Sequence, residues 1–267
     1  MTFTLREAVI NGSAIAYREA GSGAPLLFLH GAGGAESALP FLLSFTDRFR
    51  VIVPDHPGFG RSPDPPWLHD IHDAAYAYLD FLEALELRGL HVLGTSLGGW
   101  IAMEVAIRDR TRLASLSIVA AAGIRPGDIP TGDLFMWSPE ERVRNMLASA
   151  AFAERILALP QTAEQAEVAL RNHVTTAKLA WEPRFFDPGL EKWLHRLALP
   201  TQVIWGAQDR LFPLEYGRKL AGLIPGARFA VIDDCGHLPQ IEQPDRLAEL
   251  VLAHIDGAIA GVRRAHP

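Results

Sequence analysis

Serine attacks a carbonyl only when a base takes its proton and a third group holds that base in one tautomer. Of the 267 residues, Ser96 stands where such help could be arranged, in Gly94-Thr95-Ser96-Leu97-Gly98-Gly99. The stretch follows the apolar run Leu90–Leu93 and opens a helical pattern, Leu97–Arg108. A strand-to-helix turn this tight strains the backbone of its apex residue. Glycines two positions before and after remove side chains that would collide with neighbouring backbone. The helix N-terminus behind Ser96 adds free N–H groups and a positive dipole end. The plain alternative is an incidental glycine-rich turn.

A base must come from ten histidines. His237, in Asp233-Asp234-Cys235-Gly236-His237-Leu238, follows the apolar run Phe229–Ile232 at once, which brings it to the sheet edge that carries Ser96. His173, His195 and His254 fall in helical patterns and read as surface or packing residues. His91 starts a strand, at the wrong end of a sheet, and His69, His72 and His266 read as exposed. For the orienting acid, Asp209 follows the apolar run ending at Trp205. Asp233 and Asp234 are its rivals, on the histidine's own loop, and any of the three could simply cap a helix or sit in water. Acyl transfer also needs donors aimed at the developing oxyanion. The amide of Leu97 is one candidate. Ala32, in His30-Gly31-Ala32-Gly33-Gly34 after the run Pro25–Leu29, is the second, with Gly33 and Gly34 allowing close approach. Alone, that segment is only a glycine-rich loop.

The elements that must carry these residues alternate. Phe3–Ile10 and Ser13–Glu19 read as a hairpin closed at Asn11-Gly12. Pro25–Leu29, Val51–Val53, Leu90–Leu93, Leu113–Val119, Thr201–Trp205 and Phe229–Ile232 read as strands. Pro25–Leu29 is apolar throughout, as burial on both faces requires. Helical periodicity covers His69–Leu87, Leu97–Arg108, Leu214–Leu223 and Pro244–Ile259. Between about 124 and 197 no buried strand is evident. Ser138, Pro139 and Glu141 spell a capping box, and Thr162 with Gln165 spells a second. The first of these helices is expected to run to Pro160, and Pro183 and Pro188 break up the chain after the second. This stretch reads as a helical insertion in a mostly parallel α/β sheet, whose function belongs at the carboxyl ends of the strands. Trp137 precedes the first inserted helix, in a loop from Gly123 whose Gly and Pro turns would suit a mobile lid.

Composition excludes several classes. Apolar residues make up 49% and charged residues 21%, with a net charge of −6, so no basic excess serves nucleic acid. One cysteine, Cys235, forms no intrachain disulfide and no cysteine zinc site, and reads as a small packing residue. Residues 1–12 lack an apolar run, so no signal peptide is expected, and no apolar stretch is long enough to span a membrane. The expectation is a cytoplasmic monomer or homodimer acting on a small molecule, without cofactor or metal. The pair His69 and His72 is too sparse for a metal site, and Asp70 and Asp73 read as helix-start charges.

With these residues placed, nearly the whole chain resembles the α/β-hydrolase fold superfamily. The resemblance rests on His30-Gly31, Asp55-His56-Pro57-Gly58-Phe59-Gly60-Arg61-Ser62, the turn at Ser96, Asp209 and His237. It implies a mostly parallel eight-stranded sheet flanked by helices, with a helical cap after the sixth strand. Residues 1–123 and 198–267 would form the core and 124–197 the cap. It implies the order Ser96, Asp209, His237 for nucleophile, acid and base. It makes Asp55–Ser62 a structural loop, with no catalytic role for His56. Serine at the elbow argues against members that use aspartate there.

Trp205-Gly206-Ala207-Gln208-Asp209-Arg210 and Cys235-Gly236-His237 are similar to the subgroup of meta-cleavage product hydrolases and carboxylesterases. Thr95, Leu238 and the Gly31–Gly34 loop depart from the carbon–carbon hydrolases, which carry Asn, Trp and a Gly-Pro pair there. Neither Arg171 nor Arg184 can be assigned to their cap arginine. Hydrolysis of small to medium esters is therefore expected first, carbon–carbon cleavage second, and a non-catalytic small-ligand-binding protein third. Substrate-binding candidates are His30, Gly31, Trp137 and Leu238.

Overall fold

Asn11 at φ 46° and Gly12 at φ 74° close the first hairpin, two left-handed residues in a two-residue turn. They join β1 (Thr4–Ile10) to β2 (Ser13–Ala20) in a computed structural model that describes residues 2–265, with side chains to 260. His266 lies outside the described residues. The remaining strands are β3 (Ala24–Leu29), β4 (Phe49–Pro54), β5 (Leu90–Thr95), β6 (Leu113–Val119), β7 (Thr201–Gly206) and β8 (Arg228–Ile232). The core helices are α1 (Leu39–Leu42), α2 (Ile71–Ala84), α3 (Leu97–Arg108), α7 (Leu214–Leu223), α8 (Pro239–Glu242) and α9 (Pro244–Ala265). Between β6 and β7 stand α4 (Pro139–Met146), α5 (Ala150–Leu157) and α6 (Ala163–Ala180).

The eight strands form one sheet in the order β1-β2-β4-β3-β5-β6-β7-β8. β2 runs antiparallel to β1 and β4, and every later pairing is parallel. The central strands are buried on both faces because each face is covered. One face packs α2, α3 and α7 through Tyr78, Phe81, Ile101 and Leu220. The other packs α1 and α9 through Phe41, Leu42, Val251 and Ile255.

Register decides where loops emerge. Leu29 pairs with Gly94, Thr95 with Val119, Val119 with Ile204, and Gly206 with Ile232. The loops after β3, β5, β7 and β8 therefore leave the sheet at one edge.

The expected elements are present, with Leu97–Arg108, Leu113–Val119 and Leu214–Leu223 at their expected bounds and others with shifted ends. α2 begins at Ile71 because Asp70 caps it, accepting from the amides of His72 and Asp73, and it is over by Glu86 at φ 52°. The short α8 has no counterpart among the expected helices. The inserted helix expected to reach Pro160 is two helices. Leu147 is extended at φ −111° and ψ 140°, and Ser149 caps α5 through the amide of Phe152. Both capping boxes, at Ser138 and Thr162, form. Within the segment 123–137, Gly132 donates to the Leu211 carbonyl at 2.8 Å and Tyr216 donates its hydroxyl to the Ile124 carbonyl at 2.7 Å.

Candidate active site

Ser96 has φ 52° and ψ −118°, a conformation side chains avoid. Its backbone is held from several sides: its N–H donates to Val119, and its carbonyl accepts from Gly99, Trp100 and Ala122. The flanking glycines are steric necessities. A Cβ on Gly94 would lie 2.6 Å from the Gly98 carbonyl, and one on Gly98 would lie 2.1 Å from the Leu29 carbonyl.

The Ser96 hydroxyl donates to Nε2 of His237 at 2.9 Å, and the His237 Nδ1–H donates to Oδ2 of Asp209 at 2.8 Å. Both the histidine and the aspartate side chains are fully buried. Oδ1 of Asp209 accepts from the amides of Leu211 and Phe212, each at 2.9 Å, so the carboxylate is held from behind. The ring of Phe212 stands edge-on to His237 at 5.6 Å. The rivals Asp233 and Asp234 are exposed and make no such contact among the described residues. Cys235 is buried, and burial pushes its thiol far up from the ordinary range, with Glu242 and Asp209 adding to the effect.

Gly31 lies against Ser96: a Cβ there would sit 3.1 Å from the serine Cβ. Among the described residues, neither the Leu97 nor the Ala32 amide has a hydrogen-bond acceptor in the protein. Gly34 rather than Gly33 is the constrained glycine of this loop. It sits at φ +90° with Asn172 Nδ2 2.7 Å from the position of a Cβ, whereas Gly33 faces open space.

His30 is not placed to bind substrate. Its Nε2 accepts the His56 backbone N–H at 3.0 Å, which leaves the proton on Nδ1 to donate to the Gly31 carbonyl at 2.7 Å. His56 donates Nε2–H to the His30 carbonyl at 2.8 Å and accepts the Tyr78 hydroxyl at Nδ1. The two rings stack 3.7 Å apart, and both residues are buried. Desolvation pushes each imidazole below its usual range, that of His56 the further, so both stay neutral. His56 is thus an anchor of the Gly31 loop that the sequence alone does not reveal. Asp55 turns its own loop back, accepting from Arg61 N–H at 3.0 Å and pairing with Arg18 at 3.1 Å.

Trp137 packs on Gly132, where a Cβ would lie 2.3 Å from its ring. Leu238 is half-buried at the start of α8. Arg184 pairs with Asp133 at 2.6 Å and stacks on Trp181 at 4.2 Å, and Arg171 donates to the Gly60 carbonyl at 2.8 Å. His72 is half-buried, not exposed. It lies 3.5 Å from Glu104 and 3.7 Å from Asp187, with Arg108 on both His72 and Glu104, and the neighbouring Glu104 carboxylate raises its pKa.

Two further residues organise the site. Glu242 accepts the Gly236 amide on Oε2 at 2.6 Å and the Ala148 amide on Oε1 at 2.7 Å. Arg210, next to Asp209, donates to the Arg144 and Leu147 carbonyls at 2.9 and 3.3 Å. The peptide groups freed by the break between α4 and α5 are consumed by the loops that carry His237 and Asp209.

The chain is 32% identical over 279 residues to the 2-hydroxymuconate semialdehyde hydrolase of Pseudomonas sp. strain CF600, covering 95% of each. Among solved structures it superposes on a bacterial membrane phospholipase A with a TM-score of 0.78, 27% identity and coverage of 96% and 86%. A thermophilic esterase from Thermogutta terrifontis gives a TM-score of 0.75, 25% identity and coverage of 96% and 99%. No described helix is long and apolar enough to cross a membrane. The sequence matches the alpha/beta hydrolase fold family across residues 24–244, and with the eight-stranded sheet this establishes that the chain belongs to the α/β-hydrolases.

Proposed function

We propose that the chain is a serine hydrolase of small to medium carboxylic esters, working through an acyl-enzyme on Ser96. The observation that carries this reading is the continuous hydrogen-bonded series Ser96, His237, Asp209 beside two unused amides. His237 takes the Ser96 proton on Nε2 as Oγ bonds to the carbonyl carbon. The Leu97 and Ala32 amides receive the oxyanion, and losing one such donor costs about 2.7 to 4 kcal/mol. The tetrahedral adduct collapses, and the alcohol leaves with the proton from Nε2. Water, deprotonated by His237, then releases the acid and restores the serine. Asp209 holds the proton on Nδ1 and stabilises the imidazolium. Residues 124–197 serve as the cap over this site, with Trp137 and Leu238 as pocket residues and Gly31 against the acyl carbon. The protein works in the cytoplasm, as a monomer or homodimer, without a cofactor.

A second reading keeps the same three residues and cleaves a carbon–carbon bond. The Pseudomonas relative supports it, as does one feature of the inserted segment. Among the described residues, Arg142 has a buried Nε without a hydrogen-bond partner, an Nη1 3.2 Å from His173 Nδ1 and no carboxylate partner, a cation that would suit an acidic substrate. The third reading, a ligand-binding protein, predicts that Ser96 resists a fluorophosphonate.

The deciding experiment measures p-nitrophenyl esters from acetate to decanoate with wild type and Ser96→Ala. Turnover that disappears in the variant supports the ester reading. Equal rates in both proteins refute it. If esters are inert while Ser96 is labelled, a vinylogous diketone acid, whose visible absorption vanishes on cleavage, tests the second reading.

A further inference from the structure

Asn172 is buried, and it lies on α6, not on any loop that carries a reacting group. Its Nδ2 donates to the Gly33 carbonyl at 3.1 Å and its Oδ1 accepts the Gly60 amide at 2.9 Å. One side chain therefore joins the loop after β3 to the loop after β4, from the inserted segment. The Gly33 carbonyl shares its peptide unit with the Gly34 N–H. Peptide groups are planar, so fixing that carbonyl also fixes the direction of the Gly34 N–H. The Gly31 carbonyl accepts from that Gly34 N–H at 3.0 Å and from His30 Nδ1–H at 2.7 Å. The Ala32 N–H belongs to the same peptide unit as the Gly31 carbonyl, so Asn172 reaches it through the Gly33–Gly34 peptide and the hydrogen bond from Gly34 to Gly31. The fit at Gly34 is close, since any Cβ there would strike the Asn172 amide.

α6 is fastened to the core at other points that do not touch this loop. The Thr175 hydroxyl donates to the Gly58 carbonyl at 2.8 Å, and Lys178 pairs with Asp64 at 2.5 Å. Docking of the helix and aiming of the Ala32 amide can therefore be separated by substitution.

We infer that Asn172 is a positioning residue for the oxyanion site, through which the inserted segment sets the aim of the Ala32 amide. This rests on the acyl-enzyme reading above. An oxyanion donor acts on the transition state more than on the bound substrate, so a slack donor lowers kcat with little change in KM.

The test compares Asn172→Asp, Asn172→Ala and Thr175→Val with wild type. Ester kinetics, thermal melting and affinity for an alkyl boronic acid, which forms a tetrahedral adduct on serine, are measured for each. Asn172→Asp is nearly isosteric but sets a carboxylate oxygen against the Gly33 carbonyl. Expected is a fall in kcat of about ten- to a hundredfold for both Asn172 variants, with KM near wild type and boronate affinity reduced in step. If Asn172→Asp fails to fold, Asn172→Ala carries the same expectation. Thr175→Val should lower the melting temperature while leaving kcat and boronate affinity unchanged. Wild-type kcat in folded Asn172 variants overturns the inference. So does an equal loss of kcat in Thr175→Val, which would make helix docking the whole effect. Absence of Ser96-dependent turnover in the wild type would instead overturn the hydrolase reading, and this inference with it.

Discussion

The backbone amide of His237 donates to the carbonyl of Met146 at 2.8 Å, so the histidine that faces Ser96 is held by the last residue of α4. The approach is close enough to require glycine beside it. A Cβ on Gly236 would lie 2.5 Å from that same carbonyl and 2.9 Å from the Ala148 amide. The inserted segment is therefore part of what fixes His237.

Glu242 should be the residue most sensitive to this arrangement outside the site itself. Its two carboxylate oxygens accept amides from the His237 loop and from the α4–α5 junction. In Glu242→Gln one of those N–H groups must face an amide NH2. A partly buried donor left without an acceptor costs about 1 to 3 kcal/mol. A small shift of the imidazole should also lower kcat about tenfold, since misplacement on the ångström scale can cost up to a hundredfold. Urea denaturation and ester kinetics check both. A variant with unchanged midpoint and unchanged kcat would contradict the role.

The features legible in the sequence are local. Gly94 and Gly98 around Ser96 mark a turn because the glycines answer to atoms within a few residues or on the next strand. The order of strands places Asp209 and His237 at the correct edge because parallel strands return their carboxyl ends to one side. The capping boxes at Ser138 and Thr162 are likewise short-range. Asn172, Glu242 and Arg210 are not legible because each satisfies backbone groups 60 or more residues away, and a backbone partner leaves no trace in residue type. The break at Leu147 has the same origin: its cost is offset by bonds to the loops of Asp209 and His237. His30 misleads for a related reason, since a polar residue in a loop beside Ser96 looks available until its neighbours are known.

Stability should fall on mild acidification. His30, His56, His91 and His254 are buried with pKa values lowered from 6.5, first of all by desolvation. The native state keeps them neutral, while the unfolded chain takes up protons below about pH 6.5. Their contribution is complete above pH 6.5 and is lost as pH falls from there toward the lowered native values. Each group adds a slope of up to about 1.4 kcal/mol per pH unit. His72 works in the opposite sense, its pKa raised by Glu104, so its contribution is present below 6.5 and fades as pH rises. With His173 also lowered by desolvation, five groups act in one sense and His72 in the other. Urea midpoints at pH 7.5, 6.5 and 5.5 should decrease in that order, and a flat or rising series would rule the account out.

Asp209→Asn separates the two duties of that carboxylate. Oδ1 accepts two backbone amides, from Leu211 and Phe212, and Oδ2 accepts the His237 Nδ1–H. In the variant the amide oxygen must stay on the two backbone donors, because an NH2 group there would face N–H groups it cannot accept. The NH2 group then points at His237 and donates to Nδ1. That moves the imidazole proton to Nε2, the atom that has to accept from Ser96. Geometry is kept and the tautomer is wrong, a change that lowers kcat by about 10³- to 10⁴-fold in a triad of this kind. The variant should fold, with a melting temperature close to wild type, and Ser96 should react slowly with a fluorophosphonate. Imidazole nitrogen chemical shifts at neutral pH should report the proton on Nε2 in the variant and on Nδ1 in the wild type. A variant that keeps near-normal turnover would show that Asp209 does not set the tautomer of His237.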